Sequence, residues 1–389
     1  MRKLSSFLLI KRTFCNATKT AIKESTAEKS YPRMSGWQIH SYGELDEVQF
    51  SKNVKKPYIR SPKELLVKVD ASSVNPLDVA MINGYGSAFL NSIRCNTDNI
   101  EFPLILGRDF VGTVVHKGLD NKDYKIGDKI WGVVPVQKQG CHSEFVAVDS
   151  CYVSKKPKNI SDVEAAAILY AGLTAYSGIF LSAQLNGLSG LLCSSVQGNG
   201  VGKKVLVLGG AGGVGHIAIQ ILQAEGAEVL TTCSQNAVPL VENLGVSKVI
   251  DYTTVESDKI LIDESPYDLI LDCASKGAEY ANVHPWKFKN YVTFKSPLLK
   301  NFDEKGMLFG GLNNLKDLLS QNISALYSNG VVKWGYFVPL KNGISYLTKL
   351  VEKEQLVPII DSKFSYGELP KAYEKVYSGH LRGKVVIEY

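Results

Sequence analysis

The stretch that most constrains this chain runs from Val205 to Gly215, Val-Leu-Val-Leu-Gly-Gly-Ala-Gly-Gly-Val-Gly. A continuous apolar run from Lys204 to Leu208, of the kind buried in parallel sheets, enters the spacing Gly210-x-Gly212-x-x-Gly215, and helical periodicity follows from Gly213 to Ala224. Glycines at that spacing permit a tight turn, close backbone approach to a pyrophosphate and close helix-sheet packing. The helix N-terminus adds free N–H groups and partial positive charge. With a strand before it and a helix after it, the loop predicts a dinucleotide site on Gly210, Ala211, Gly212, Gly213, Val214 and Gly215. A merely structural turn is the alternative.

Further strands are expected at Glu228 to Cys233, Lys248 to Ile250, Asp268 to Leu271, Tyr291 to Phe294 and Val331 to Phe337, enough for a doubly wound sheet of six parallel strands. Residues 36–165 read differently, as short strands punctuated by turns, and suggest an all-β region. A last strand, Lys384 to Ile387, follows an amphipathic helix at Leu369 to Val376 and is expected to return to that first region. At 389 residues two cores are the default. The reading is therefore a substrate domain over 36–165 completed by 340–389, with a nucleotide-binding domain over 166–339 between. The Gly/Ser-rich stretch from Asn186 to Gly202 reads as an excursion before the first strand of that inserted domain.

The formal charge of +6 has a local origin. Arg2, Lys3, Lys11, Arg12, Lys19 and Lys23 precede the first acid, Glu24, and the rest of the chain carries 38 basic against 38 acidic residues. The footprint of a nucleic-acid binder is missing. Residues 1–30, acid-poor and rich in Ser and Thr, with Leu4, Phe7 and Leu8 at helical spacing and Arg12-Thr13-Phe14 beyond, read as a mitochondrial presequence; a basic tail is the alternative. The apolar run Phe7 to Ile10 is too short for a secretory signal, and no stretch approaches the roughly 20 apolar residues of a membrane span. The seven cysteines contain no Cys-x-x-Cys pair, so neither a disulfide framework nor a zinc ribbon is indicated.

The end of the second parallel strand discriminates between nicotinamide cofactors, because an acid there binds a ribose 2′-hydroxyl and repels a 2′-phosphate. Cys233-Ser234-Gln235-Asn236 has none. NADPH is favoured, with NADH the weaker option. Ser234 offers a donor to the phosphate, and Tyr252 either approaches the adenosine or packs.

Ser73 to Asp78, Phe102 to Asp109, Gly127-Asp128, Ala165 to Thr174 and the glycine loop together resemble the quinone-oxidoreductase branch of the medium-chain dehydrogenase/reductases, from about residue 36 to the C-terminus. Gly84-Tyr85-Gly86, Cys233 to Gln235, Val249 to Tyr252, Tyr291 to Thr293 and Gly379 to Lys384 resemble a mitochondrial member group of that branch more closely. The resemblance implies a GroES-like catalytic domain built from both chain ends and a Rossmann domain inserted between them. It implies NADPH reduction of a quinone or conjugated enone, a link to coenzyme Q (ubiquinone) biosynthesis and a matrix location, with outer-membrane association as the other option. It also implies a reticulon-like or coenzyme Q biosynthesis protein as partner, and a homodimer. Cofactor contacts carried over position by position fall on Gly210, Gly212, Gly213, Val214, Ser234, Tyr252, Tyr291, Phe294, Gly335, Phe337, His380, Leu381 and Arg382. Two departures stand out: the length of 186–202, and Ala274-Ser275 in place of a Val-Gly that commonly follows the fourth strand.

Zinc alcohol dehydrogenases of this fold carry Gly-His-Glu where this chain has Gly107-Arg108-Asp109. A guanidinium cannot ligate a metal, and the four-cysteine structural lobe is missing, so no zinc is expected. Arg108 and Asp109 read as a structural charge pair. Without a Lewis acid the acceptor must be electron-poor, and the oxyanion formed on hydride addition needs hydrogen-bond donors. Asn75 offers an amide, Tyr85 a phenol, and Asp78 is placed to orient either. A binding scaffold that uses NADPH without chemistry is the competing reading. His40, His116, His142, His216 and His284 show no ligand spacing.

Overall fold

The computed structural model describes residues 31–95, 101–185, 198–325 and 330–389. The expected presequence at 1–30 and residues 186–197 of the Gly/Ser-rich stretch lie outside the described residues. From Met34 onward the chain is one unit, organised by two large sheets.

The first large sheet uses β3 (Glu64–Val74), β4 (Asp109–Lys117), β5 (Lys129–Val133), β6 (Phe145–Asp149) and β7 (Val153–Lys155), while β1 (Arg33–Gln38) and β2 (Gln49–Lys55) form a small separate sheet. The second uses β8 (Lys204–Leu208), β9 (Glu228–Cys233), β10 (Lys248–Asp251), β11 (Tyr267–Asp272), β12 (Phe288–Thr293) and β13 (Val331–Trp334) in the order β10-β9-β8-β11-β12-β13, every pair parallel. That order makes the chain reverse direction on either side of β8, so the C-terminal ends of β8 and β11 flank a crevice, the usual ligand site of such sheets. Finally β14 (Ile360–Ser365) and β15 (Lys384–Glu388) rejoin the first sheet, where β15 runs antiparallel to β3 with Val385 opposite Val74.

The β-strand expectation for 36–165 omits two helices. These are α1 (Pro76–Ile82) and α2 (Ser87–Cys95). Asn75-Pro76 is a helix start rather than a plain turn, because proline at the first helical position has its φ preset and Asp78 returns a hydrogen bond to the Asn75 N–H at 2.9 Å. In the second sheet the helix α3 (Gly215–Ala224) buries Ile217, Ala218, Ile219, Ile221 and Leu222 completely against β8, whose Val205, Leu206 and Val207 are equally inaccessible.

A helical hairpin, α4 (Leu298–Ala325), breaks at Gly306 (φ 70°, ψ 177°). Asn301 Nδ2 donates to Asn314 Oδ1 at 2.7 Å and to Asp317 Oδ2 at 2.9 Å, and the legs touch at Gly310, where a Cβ would come within 2.5 Å of the Asn301 carbonyl. Asn322 then donates to the Val332 carbonyl and accepts its N–H, both at 3.0 Å, which satisfies part of the open edge of β13. Leu308, Leu312, Leu315, Leu319 and Ile323 face outward at 55 to 71% exposure, a larger apolar row than an ordinary soluble surface shows. Among the described residues no helix is long and apolar enough to cross a membrane. The last helix, α5 (Leu369–Tyr377), packs Tyr373 onto His142, with 2.8 Å between hydroxyl and Nδ1.

His142 and His216 are both inaccessible, and burial holds each at about 4, below the usual histidine range. His216 accepts the Ile359 N–H on Nε2 at 3.1 Å and meets the Gly212 carbonyl with Nδ1 at 2.8 Å, a pair of partners that the neutral ring satisfies. Both rings stay neutral in the fold while the unfolded chain takes up protons below about 6.5. Stability contributed by each is thus present above that pH and lost as pH falls toward 4, by about 1.4 kcal/mol per unit. Urea unfolding between pH 6.5 and 4.5 should show a shallower pH slope for His216→Gln than for wild type, by about that amount; equal slopes would refute it.

Candidate active site

The glycine loop lies at the C-terminal end of β8, turned by Gly209 at φ 80°. Its glycines have distinct reasons. A Cβ on Gly210 would come within 2.1 Å of Thr231 Oγ1, and one on Gly215 within 2.1 Å of the Gly209 carbonyl, so these positions admit no side chain. A Cβ on Gly212 meets nothing nearer than 3.4 Å, so this face of the loop is open toward the crevice. No side chain caps α3, leaving its N-terminus to attract an anion. The residues therefore fit a dinucleotide pyrophosphate: a cradle free of side chains, with a helix dipole aimed into it.

The expected contacts fall into groups, some at the loop and others at neighbouring strand ends, and one is set apart. Gly383 N–H donates to the Ala211 carbonyl at 2.9 Å, and Gly383 bridges Gly212, which brings the preceding His380, Leu381 and Arg382 to the loop. His380 takes the left-handed conformation (φ 53°), and Arg382 N–H is held by Asp361 at 2.8 Å. Phe294 and Gly335 are neighbours, since a Cβ on Gly335 would lie 2.7 Å from the Phe294 ring. Phe337 stacks on Tyr170 with centroids 4.3 Å apart. Ser234 sits at the end of β9, and Tyr252, half exposed, is tied there by its N–H to the Cys233 carbonyl at 3.1 Å. Tyr291 is the exception. Its side chain is inaccessible and its hydroxyl donates to the Gly277 carbonyl at 3.1 Å, so it supports a loop and offers no ring to a cofactor.

The acceptor side corrects two roles. Asn75 is buried, its Nδ2 donates to Asp109 Oδ1 at 3.0 Å, and its Oδ1 accepts a short hydrogen bond from Lys384 Nζ. The amide is engaged at both ends and is no free donor to an acceptor. Asp78 is wholly buried, with its oxygens taken by the N–H groups of Asn75 and Gly107, each at 2.9 Å. Burial raises its pKa against the pull of Arg108. It orients the Asn75 backbone, not a substrate. Arg108 pairs with Asp78 at 3.6 Å rather than with Asp109, and its Nη1 donates to the carbonyls of Pro135 and Lys138. Asp109 instead accepts from Ser73 Oγ at 2.6 Å and from Asn75.

Of the three, the Tyr85 phenol remains. It is partly buried, and burial, then the carboxylate of Asp303, raise its pKa. Tyr170 and Tyr336 lie within electrostatic reach of it, and burial pushes Tyr336 up to about 12. Asp303, from α4, accepts the N–H groups of Gly86 at 2.7 Å and Ala88 at 3.0 Å, clasping the Tyr85 turn. Sequence reasoning missed Lys384, Tyr170, Tyr336 and Asp303. The one usable signal was a lysine inside an otherwise apolar strand, Lys384-Val385-Val386-Ile387. Among the described residues no group of three or more His, Cys, Asp or Glu is placed to hold a metal ion.

A glycine-loop parallel sheet joined to a second sheet by the returning C-terminal strand defines a medium-chain dehydrogenase/reductase. Residues 61–158 match the family described as alcohol dehydrogenase GroES-like domain, and residues 244–387 the family described as zinc-binding dehydrogenase. The chain is 48% identical over 363 residues to a Drosophila melanogaster protein named NAD(P)H oxidoreductase RTN4IP1, mitochondrial, covering 92% of this chain and 87% of that one. It is 37% identical over 346 residues to the Caenorhabditis elegans reticulon-4-interacting protein 1, mitochondrial, covering 87% and 91%. The solved quinone oxidoreductase from Coxiella burnetii superposes with a TM-score of 0.70 at 26% identity, over 92% of this chain and 100% of that one. The chain belongs to the RTN4IP1 family of this superfamily.

Lys384 is 4% exposed and faces Asn75 with Asp109 beyond it, while burial lowers its pKa and raises that of Asp109, each against the attraction of the other. Removing one member of a buried charged network leaves the other uncompensated. Lys384→Met should cost about 3–5 kcal/mol in urea unfolding, and adding Asp109→Asn should recover a large part. A loss below about 1 kcal/mol, typical of a surface pair, would show that the charges are not coupled.

Proposed function

We propose that this protein is a mitochondrial, zinc-independent, NADPH-dependent oxidoreductase that passes hydride to a quinone or conjugated enone in coenzyme Q metabolism. In this reading 166–339 hold the cofactor, while 36–165 with 340–389 form the acceptor side. The observation that carries it is the glycine loop itself: an open, side-chain-free face at the end of β8, beside a β9 whose end, residues 233–236, carries no acid. The names of the relatives support a nicotinamide reductase and a mitochondrial setting. Arg108, sealed under Asp78 and two carbonyls, supports chemistry without a metal, because a guanidinium offers no lone pair. A reticulon-like membrane protein, in line with the name of the nematode relative, or a coenzyme Q biosynthesis protein is the proposed partner.

When bound, NADPH supplies the hydride. The glycine loop and the start of α3 would hold its pyrophosphate, and Ser234 and Tyr252 its adenosine end. Phe294, Gly335 and Phe337 would exclude water from the reacting end. The Tyr85 hydroxyl, still protonated because burial raises its pKa, would donate to the oxygen on which charge develops. Asp303 holds the turn that carries it, and Asp78, Asn75 and Lys384 hold the start of α1 before that turn.

A scaffold that binds NADPH without chemistry is the second reading, favoured by the engagement of Asn75 and Asp78 with the protein itself. The deciding measurement is oxidation of NADPH and NADH by the purified protein, with and without a benzoquinone and a conjugated enone. Turnover preferring NADPH is expected, and Tyr85→Phe should reduce kcat by roughly 10²-fold, the usual worth of a preorganised oxyanion donor, with little change in cofactor affinity. Tight NADPH binding with no turnover on either acceptor would overturn the enzyme reading and leave the scaffold.

A further inference from the structure

The loop after β11 departs from the commoner Val-Gly and carries Ala274-Ser275-Lys276-Gly277. It is a built loop. The inaccessible Asp272 carboxylate accepts the N–H groups of Ala274 at 3.1 Å, Lys276 at 3.0 Å and Gly277 at 2.8 Å, and the Thr293 hydroxyl at 2.7 Å. Tyr291 secures the loop from below through the Gly277 carbonyl, and Ser275 takes the left-handed conformation (φ 54°). The exposed Lys276 side chain is thereby carried over two rings, with Nζ 5.7 Å from the centroid of Tyr252 and 5.4 Å from that of Tyr280. Tyr252 is itself tied by its N–H to Cys233, the residue before Ser234.

This places a cation over the ring of Tyr252, whose backbone is bonded to the end of β9, where a doubly wound sheet reads the ribose 2′ position. Lack of an acid at Ser234 removes repulsion but supplies no attraction for a phosphate carrying close to two negative charges. Residues 233–236 contain no basic group. The neighbouring Asp251 carboxylate is engaged at the surface by Thr253, accepting its N–H at 2.9 Å and its hydroxyl at 2.7 Å. The Glu279 carboxylate lies beside Gly277, where a Cβ would come within 2.7 Å of its Oε2. We propose that Lys276 is the residue that recognises the 2′-phosphate of NADPH, beside the Tyr252 ring, while the Ser234 hydroxyl, which donates to Asn236 Oδ1 at 2.8 Å, would turn from Asn236 to the phosphate. The assignment rests on the dinucleotide reading of the crevice and names its specificity-determining residue. Because the Asp272 carboxylate binds backbone N–H groups, changing the Lys276 side chain leaves the loop intact.

The test is binding of NADPH and NADH, followed by cofactor fluorescence, to the full-length protein and its Lys276→Ala, Lys276→Arg and Lys276→Glu variants. Lys276→Ala should weaken NADPH about 10- to 100-fold, as expected for loss of a charge-assisted hydrogen bond to phosphate, and alter NADH less than about 2-fold. Lys276→Arg should keep the preference, and Lys276→Glu should reverse it. Competition by 2′,5′-ADP against NADPH should weaken in parallel in Lys276→Ala, while competition by AMP should not. Equal weakening of both cofactors, or no change in either, overturns the assignment of Lys276 alone. A wild-type protein that binds neither cofactor overturns the dinucleotide reading beneath it.

Discussion

The approach of two backbones, at Gly212 and Gly383, is the constraint on which this molecule turns. Gly383 adopts φ 97°, and a Cβ there would come within 2.1 Å of the Ile359 carbonyl; Gly215 would collide with Gly209 as closely. With side chains excluded, the start of β15 docks directly on the glycine loop while the rest of β15 pairs with β3. The loop that would hold a pyrophosphate and the strand end that carries Asn75 are therefore parts of one rigid junction, and neither can be placed without the other.

Charge is buried at that junction on purpose of construction rather than display. Lys384, Asn75 and Asp109 form one chain of contacts, and Asp78 with Arg108 forms another beneath the same turn. Buried ions are tolerated only with their partners in place, so these groups specify how α1 leaves β3 more than they serve an incoming substrate. In the proposed function chemistry shifts outward to Tyr85, where Asp303 of α4 accepts the neighbouring N–H groups of Gly86 and Ala88. That turn is thus clasped by a helix 215 to 217 residues further along the chain.

Much of this was legible in the residues. The apolar run of β8, the glycine spacing and the helix of α3 are local patterns, as are β9 and β15; the strand bounds differ from the expected ones by a residue or less, and α3 starts two residues later than expected. The strand expected to end at Phe337 stops at Trp334, because the chain turns at Gly335 against Phe294. Helices α1 and α2 were missed because the Asn-Pro start reads as a turn until Asp78 is seen to close it. The hairpin α4 was missed because its periodicity breaks at Gly306 and its apolar row faces outward, against the rule that marks a core. Tyr291 shows the limit of transferring contacts by position: an aromatic at the end of a parallel strand looks like a cofactor wall until its hydroxyl is found under Gly277.

The sequence by itself determined the class of fold, the location of the nucleotide loop and the lack of an acid at Ser234, because each depends on residues adjacent in the chain, where sterics and hydrogen bonding act over a few bonds. The roles of Asn75 and Asp78, the burial of Lys384, the clasp of Asp303 on the Tyr85 turn and the place of Lys276 over Tyr252 were decided by tertiary structure alone. Each depends on groups far apart in sequence, and what a polar side chain can do is set by which partners reach it first once water is excluded.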